Sequence, residues 1–208
     1  MSRGGGEVPA SRGEEDSGVP GPAPAAGTRR TLILLRHAKS AWPDVPDHDR
    51  PLADRGRRDA PAAGRWLRAA GLVPDRVLCS TAERARETWR LAGAELSGGG
   101  PGAGPAVTFE PRVYGASAAG LLGLLHEVPG DARAVLLVGH EPAMSELALT
   151  LAGPAVDAGR HGELDRIRAK FPTAAIAVLE FTGSWSRLGP GGARLARLVI
   201  PSDIRDTR

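Results

Sequence analysis

Only one cysteine, Cys79, stands among 208 residues. Without a second thiol no internal disulfide can close, which excludes a disulfide-stapled secreted domain, and a Cys-rich zinc module is excluded as well. No apolar run approaches the roughly 18 residues that span a bilayer, so the sequence excludes a transmembrane chain. The first residues lack the apolar stretch of a secretory signal, so export by that route is not expected and a cytoplasmic location is. Lysine is almost missing: arginine supplies 25 of the 27 basic residues, and the net charge is +3. Those arginines form neither a basic stripe nor a nucleic-acid-binding motif, so the sequence predicts no nucleic acid partner and no membrane partner.

Glycine and proline are plentiful, 28 and 18 respectively, close to the level at which low complexity becomes the first suspicion. They are concentrated. Residues 1–28 hold seven Gly and four Pro, with Met1, Val8 and Val19 as their large apolar residues. Such a segment cannot bury enough surface to offset its ordering entropy, and it reads as a disordered tail. Residues 97–106 form a Gly/Pro-rich loop, and no strand-to-helix context makes it a dinucleotide fingerprint. After the N-terminal tail comes one domain, 29–202, followed by a short C-terminal tail, 203–208.

Within the domain, Thr31–Leu35, Arg76–Cys79 and Ala134–Val138 read as strands buried on both faces. Val107–Phe109, Ala174–Phe181 and Arg194–Ile200 are further strands, the last two a hairpin. Helices are predicted from Arg55 to Ala70 with Asp54 as N-cap, from a Ser80–Glu83 capping box to Leu96, over 117–127, and from Pro142 in a first turn to Ala152. Pro61 should kink or break the first of them. Residues 154–172 fit no single pattern. Strands alternating with helices imply a three-layer α/β/α sandwich with a mostly parallel sheet, whose ligands bind at the carboxyl ends of the strands.

The residues at those ends are Arg36-His37 after the first strand, Cys79-Ser80 and then Arg84 after the second, and Gly139-His140 after the Ala134–Val138 strand. One loop histidine alone is more often structural than catalytic; two sharing this placement point to chemistry. A neutral imidazole is a good nucleophile towards phosphorus, and two guanidiniums can bind the equatorial oxygens of a phosphoryl group. A second imidazole can donate a further hydrogen bond. No metal and no cofactor is called for.

Here the sequence resembles a known family. Leu35-Arg36-His37-Ala38 is similar to the Arg-His-Gly signature of the histidine phosphatase superfamily, with Ala38 in place of the glycine. Ser80 to Thr88 resembles its second motif, Val138-Gly-His140-Glu-Pro its third, Arg50-Pro51-Leu52 with Asp54-Arg-Gly56 the segment between, and Phe171-Pro-Thr173 the closing segment. The resemblance covers about residues 30–182 and is nearest the short SixA-type phosphohistidine phosphatases, with their phosphoglycerate mutase-like fold. It implies a phosphoenzyme mechanism with His37 as nucleophile, Arg36, Arg84 and His140 as the phosphate pocket, and Arg50 and Ser80 as further substrate-binding residues. The substrate would be a phosphohistidine in a protein or a small phosphorylated compound.

Many relatives carry an acidic proton donor ahead of the segment matching Tyr114-Gly115. Here Pro111 takes its place and Glu110 is the nearest acid. An alcohol leaving group needs a proton, whereas a phosphohistidine has a weaker P–N bond, so this departure favours phosphoramidates. The alternatives are a phosphatase or mutase acting on small phosphate esters and, in another class, a non-catalytic phosphate-binding module. Cys79 with Arg84 misses the Cys-x5-Arg spacing of the cysteine phosphatases and reads as a small buried hydrophobe. His48, His126 and His161 form no metal-ligand pattern. No residue pattern fixes an oligomeric state.

Overall fold

The structure, a computed structural model, describes Met1 and residues 27–96, 104–153 and 161–205. Almost all of the expected N-terminal tail and most of the Gly-rich loop therefore lie outside the described residues.

Six strands form one sheet: β1 (Arg29–Arg36), β2 (Arg76–Ser80), β3 (Ala106–Glu110), β4 (Ala134–Gly139), β5 (Ile176–Thr182) and β6 (Arg194–Val199), in the order β3-β2-β4-β1-β5-β6. The first four pair in parallel, and β5 runs against both of its neighbours. Helices α1 (Asp54–Ala69), α2 (Glu83–Leu96), α3 (Ala118–His126), α4 (Ala143–Ala152), α5 (His161–Ala169) and α6 (Pro201–Arg205) cover the two faces. This is the expected three-layer α/β/α arrangement.

The period-2 alternation of the central strands sorts the layers. Leu32 and Leu34 of β1, with Val135 and Leu137 of β4, pack with Leu124 of α3 and Leu147 of α4. The intervening Ile33, Leu35, Leu136 and Val138 pack with Leu67 of α1 and Trp89 of α2. All eight strand side chains are fully buried. At roughly 1.5–3 kcal/mol for each such side chain, these two strands anchor the fold and hold the residues at their carboxyl ends in place. On the α1 side, Gly64 lets α1 lie against the Ala92 carbonyl of α2, where a Cβ would collide with backbone.

Local expectations needed correction at several points. Ala53, not Asp54, is the N-cap of α1, without a side-chain cap, and Asp54 is its first residue. There its carboxylate still favours the helix dipole. Pro61 neither breaks nor ends α1; the bond it cannot make belongs to the carbonyl of Arg57, an exposed residue open to water. Ser80 ends β2 instead of capping α2, which starts at Glu83. Pro142 is the N-cap residue of α4, one position before its first turn. The unassigned stretch 154–172 contains α5, and α6 runs on through Arg205 into the stretch read as a tail. Ser117 does cap α3, accepting from the Gly120 N–H at 3.2 Å.

Candidate active site

The register of the parallel strands sets the site. Arg36 lies opposite Gly139, and Cys79 opposite Val138. His37, Ser80 and His140 therefore emerge side by side at the carboxyl edge, and the rings of His37 and His140 stand 5.0 Å apart.

His37 is held from every side. Its N–H donates to Gly139 O at 3.0 Å, and its own carbonyl and that of Arg36 accept from the Ala174 N–H, both at 3.1 Å. Ala174 sits at φ 60°, a left-handed conformation rare for a residue with a side chain. The next N–H, of Ala38, donates to Thr88 Oγ1, whose hydroxyl in turn donates to the Arg84 carbonyl one helical turn back. Gly56 at the start of α1 has no room for a Cβ against the Lys39 backbone, so that helix can close over the same loop.

The protonation state of His37 is set by its partner. Nδ1 lies 2.7 Å from the Ala38 carbonyl, which can only accept. The proton is therefore on Nδ1, and Nε2 carries the lone pair. Burial, with His140, Arg84 and Arg36 adding to it, pushes the pKa of His37 down to about 3. The imidazole is neutral at physiological pH, as a nitrogen nucleophile must be.

His140 is likewise neutral, its pKa lowered to about 4 by burial and by Arg84. Its Nε2 lies 2.7 Å from Ser80 Oγ, which already accepts from the Ala82 N–H at 3.3 Å. Ser80 is fully buried. Its hydroxyl proton finds an acceptor if it is donated to His140 Nε2, which places the His140 proton on Nδ1. Nδ1 is buried and without a hydrogen-bond partner, and so is Nε of Arg36. Among the described residues, two buried donors thus stand unpaired in the group that contains His37.

Arg84 and Arg50 are nearly buried and are joined by a residue the sequence reading did not single out. Asp47 accepts from Arg84 Nη2 at 2.9 Å, from Arg50 Nη1 at 2.8 Å and from Tyr114 Oη at 2.8 Å. Arg50 also donates to Ala41 O and Ser40 Oγ, and its guanidinium lies 3.2 Å from the centre of the Trp42 ring. Much of Arg50 therefore organises the loop before it. Tyr114 stands edge-on to both His48 and His140. The alternation of acidic and basic residue types in Asp47-His48-Asp49-Arg50 is a signal that could have drawn attention to Asp47; Thr88 shares a helix face with Arg84.

Three sequence-named groups fall outside this cluster. Glu110 ends β3 with its carboxylate bound to the backbone and guanidinium of Arg112, which holds it below the usual carboxylate range. An ionised, ion-paired carboxylate is a poor proton donor, so Glu110 is not a ready acid. Burial pushes the Cys79 thiol up to about 12, which removes thiolate chemistry. His126 is hydrogen-bonded to Leu188 O, far along the chain. Among the described residues no three His, Cys, Asp or Glu side chains are grouped to hold a metal ion, and no helix is long and apolar enough to cross a membrane.

The arrangement can do one thing well: surround a tetrahedral anion with guanidinium and imidazole N–H groups while presenting it to a neutral imidazole nitrogen. Comparison with known proteins agrees. The sequence profile of the histidine phosphatase superfamily (branch 1) matches residues 32–101. An uncharacterized protein of Mycobacterium tuberculosis (strain H37Rv) is 43% identical over 168 residues, covering 80% of this chain and 99% of its own. A SixA structure from Nakamurella multipartitia is 36% identical, with a TM-score of 0.71 over 83% of this chain and 96% of that one. A SixA structure from Agrobacterium tumefaciens is 27% identical, with a TM-score of 0.67 over 83% and 98%. The chain belongs to the histidine phosphatase superfamily, in its SixA-type branch, and is a phosphatase.

Proposed function

We propose that the chain is a phosphohistidine phosphatase acting in the cytoplasm on a phosphorylated protein, through a covalent intermediate on His37. The observation that carries this reading is the buried, neutral His37, with its proton fixed on Nδ1 by Ala38 O and its Nε2 lone pair among Arg36, Arg84 and His140. Nε2 attacks phosphorus; a new P–N bond forms as the P–N bond to the substrate imidazole breaks. That imidazole leaves neutral when its other ring nitrogen carries a proton. Water then attacks the phosphoryl-His37, releasing orthophosphate and restoring the imidazole. Arg36, Arg84 and His140 Nδ1 stabilise the charge on the transferring group, Arg50 orders the phosphate side of the loop, and Ser80 orients His140.

The pairing of Glu110 with Arg112 supports a phosphoramidate over an alcohol ester, because Glu110, ionised and ion-paired, has no proton to give an alkoxide. The test is direct. His37→Ala abolishes release of phosphate from a phosphohistidine peptide while the fold persists, and wild-type enzyme quenched during turnover carries acid-labile phosphate on His37. Full turnover by the variant, or label on Cys79 or a serine, defeats the reading. Equal rates on a phosphohistidine peptide and a sugar phosphate would favour a small-ester enzyme instead.

A further inference from the structure

The Asp47 carboxylate lies where an anionic ligand of Arg84 and Arg50 would lie. It accepts from one nitrogen of each guanidinium and from the Tyr114 hydroxyl, three donors in all, at 2.8–2.9 Å. The Asp47 carbonyl also accepts from Arg84 Nη1 at 2.6 Å. These are charge-assisted hydrogen bonds, the strong kind, and a phosphoryl group seeking Arg84 must compete with them.

The loop that carries Asp47 lies outside the core. Residues 42–47 are all exposed, Trp42 at 78%. The bonds within it are local, Val45 N–H to Pro43 O and Asp49 N–H to Pro46 O. It is tied to α2 and to the segment after β3 through Asp47 and through His48, which reaches Thr81 Oγ1 at 3.1 Å. Shifting the Asp47 side chain therefore removes no apolar surface from the core.

The charge count decides what can shift it. Arg50 and Arg84 bring two positive charges and Asp47 one negative. A singly charged anion exchanged for the carboxylate gains no Coulomb energy, whereas a doubly charged phosphoryl group gains one further unit of attraction. The same three donors keep Asp47 well below the usual carboxylate range, so it stays charged throughout the working pH range.

We propose that Asp47 is a specificity residue of this site: its carboxylate holds the place of phosphoryl oxygens between Arg50, Arg84 and Tyr114, and a ligand enters by displacing it, which a dianionic phosphoryl group does and a monoanion does not. Phosphomonoesters and phosphoramidates are thereby admitted, and phosphodiesters and carboxylates are turned away. The inference rests on the reading of Arg36, Arg84 and His140 as a phosphate pocket.

Calorimetric titration of the full chain at pH 8 tests it, with orthophosphate as the dianion and dimethyl phosphate as a tetrahedral monoanion. Asp47→Asn, which removes the charge that either anion must displace, is expected to tighten both by a similar factor of about tenfold, and so to bring dimethyl phosphate, which the parent does not bind, into the measurable range. Tyr114→Phe, which removes one hold on the carboxylate without changing charge, is expected to move both affinities the same way by a smaller step. Orthophosphate binding that weakens in Asp47→Asn, or dimethyl phosphate that binds both parent and variant or neither, overturns the proposal, the first outcome making Asp47 an organiser of the arginines. Arg84→Ala separates the two levels. If it leaves orthophosphate affinity intact, the pocket reading itself falls; if it weakens binding while Asp47→Asn leaves both affinities unchanged, the role of Asp47 alone falls.

Discussion

β1 carries a buried or half-buried arginine near each end, and the two are treated oppositely. Arg30 is 1% exposed, with Nε donating to Gly183 O, Nη1 to Ala132 O and Nη2 to Gly130 O. Each nitrogen of its guanidinium has a carbonyl, and the Trp185 indole shares one of them. Arg36 donates from Nη1 to Phe171 O, but its buried Nε has no partner. A buried unpaired donor costs about 1–3 kcal/mol. The amino end of the strand uses a guanidinium to fasten loops, whereas the carboxyl end keeps one incompletely paired beside a neutral histidine. Residue type alone does not separate these roles; the acceptor inventory around each guanidinium does.

The sharpest way to break this contrast is to remove each arginine in turn. Arg36→Ala is expected to lower kcat/KM on a phosphohistidine peptide by about 10³-fold, with a thermal midpoint at or slightly above that of the parent. Arg30→Met is expected to do the reverse. It takes the donor from the Gly130 and Gly183 carbonyls and leaves Ala132 O with the Trp185 indole alone, which lowers stability by about 3 kcal/mol, or ~10 °C in Tm, while the activity of the folded fraction is retained. Steady-state kinetics and thermal unfolding on both variants decide the matter. If Arg36→Ala destabilises as much as Arg30→Met, the two ends are equivalent and the functional reading of the unpaired Nε is wrong.

How much of this was legible in the sequence divides along the same line. The central strands were readable because Leu32–Leu35 and Val135–Val138 hold no polar side chain, and burial on both faces demands that. Arg36, His37, Arg84 and His140 were readable because a parallel sheet must deliver its strand ends to one edge. The Asp47–Tyr114 bond, between residues 67 positions apart, was not, because a loop-to-loop contact leaves no periodicity. Nor was the left-handed Ala174: the conformation is imposed by its N–H bonds to Arg36 O and His37 O, and no glycine marks it. The capping-box reading of Ser80 failed because an S-x-x-E pattern cannot show that a histidine following another strand will engage the hydroxyl.

The two histidines offer a measure of the buried chemistry at the carboxyl end. An unfolded histidine titrates near 6.5, whereas His37 and His140 are held at about 3 and about 4. Between these values the unfolded chain binds protons that the folded one refuses. The stability they confer is therefore complete above pH 6.5 and is lost as pH falls through 4 towards 3. From pH 7.5 to 5.5 the pair should cost roughly 2–3 kcal/mol, about half from each. Urea unfolding at the two pH values, compared with a His37→Asn/His140→Asn variant, checks this; an equal loss in the variant would mean that the histidines are not the cause. The same depression predicts no acid limb near 6.5 in kcat/KM from protonation of His37.

Ser80 gives the smallest expected effect and separates a positioned donor from a merely buried one. Its hydroxyl accepts from the Ala82 N–H and faces His140 Nε2. Ser80→Ala leaves that N–H unpaired and lets the His140 proton move to Nε2, which turns a lone pair instead of a donor towards the transferring phosphoryl group. A loss of about tenfold in kcat is expected, the worth of one misdirected hydrogen bond. Ser80→Thr keeps the hydroxyl and should keep the rate. A packing role would predict a loss in both variants and no change in the tautomer. Nitrogen-15 chemical shifts of His140 therefore carry the decision: protonated Nδ1 in the parent and in Ser80→Thr, and protonated Nε2 in Ser80→Ala, would show that the unpaired donor at this end of the sheet is set by its neighbour and is not a by-product of burial.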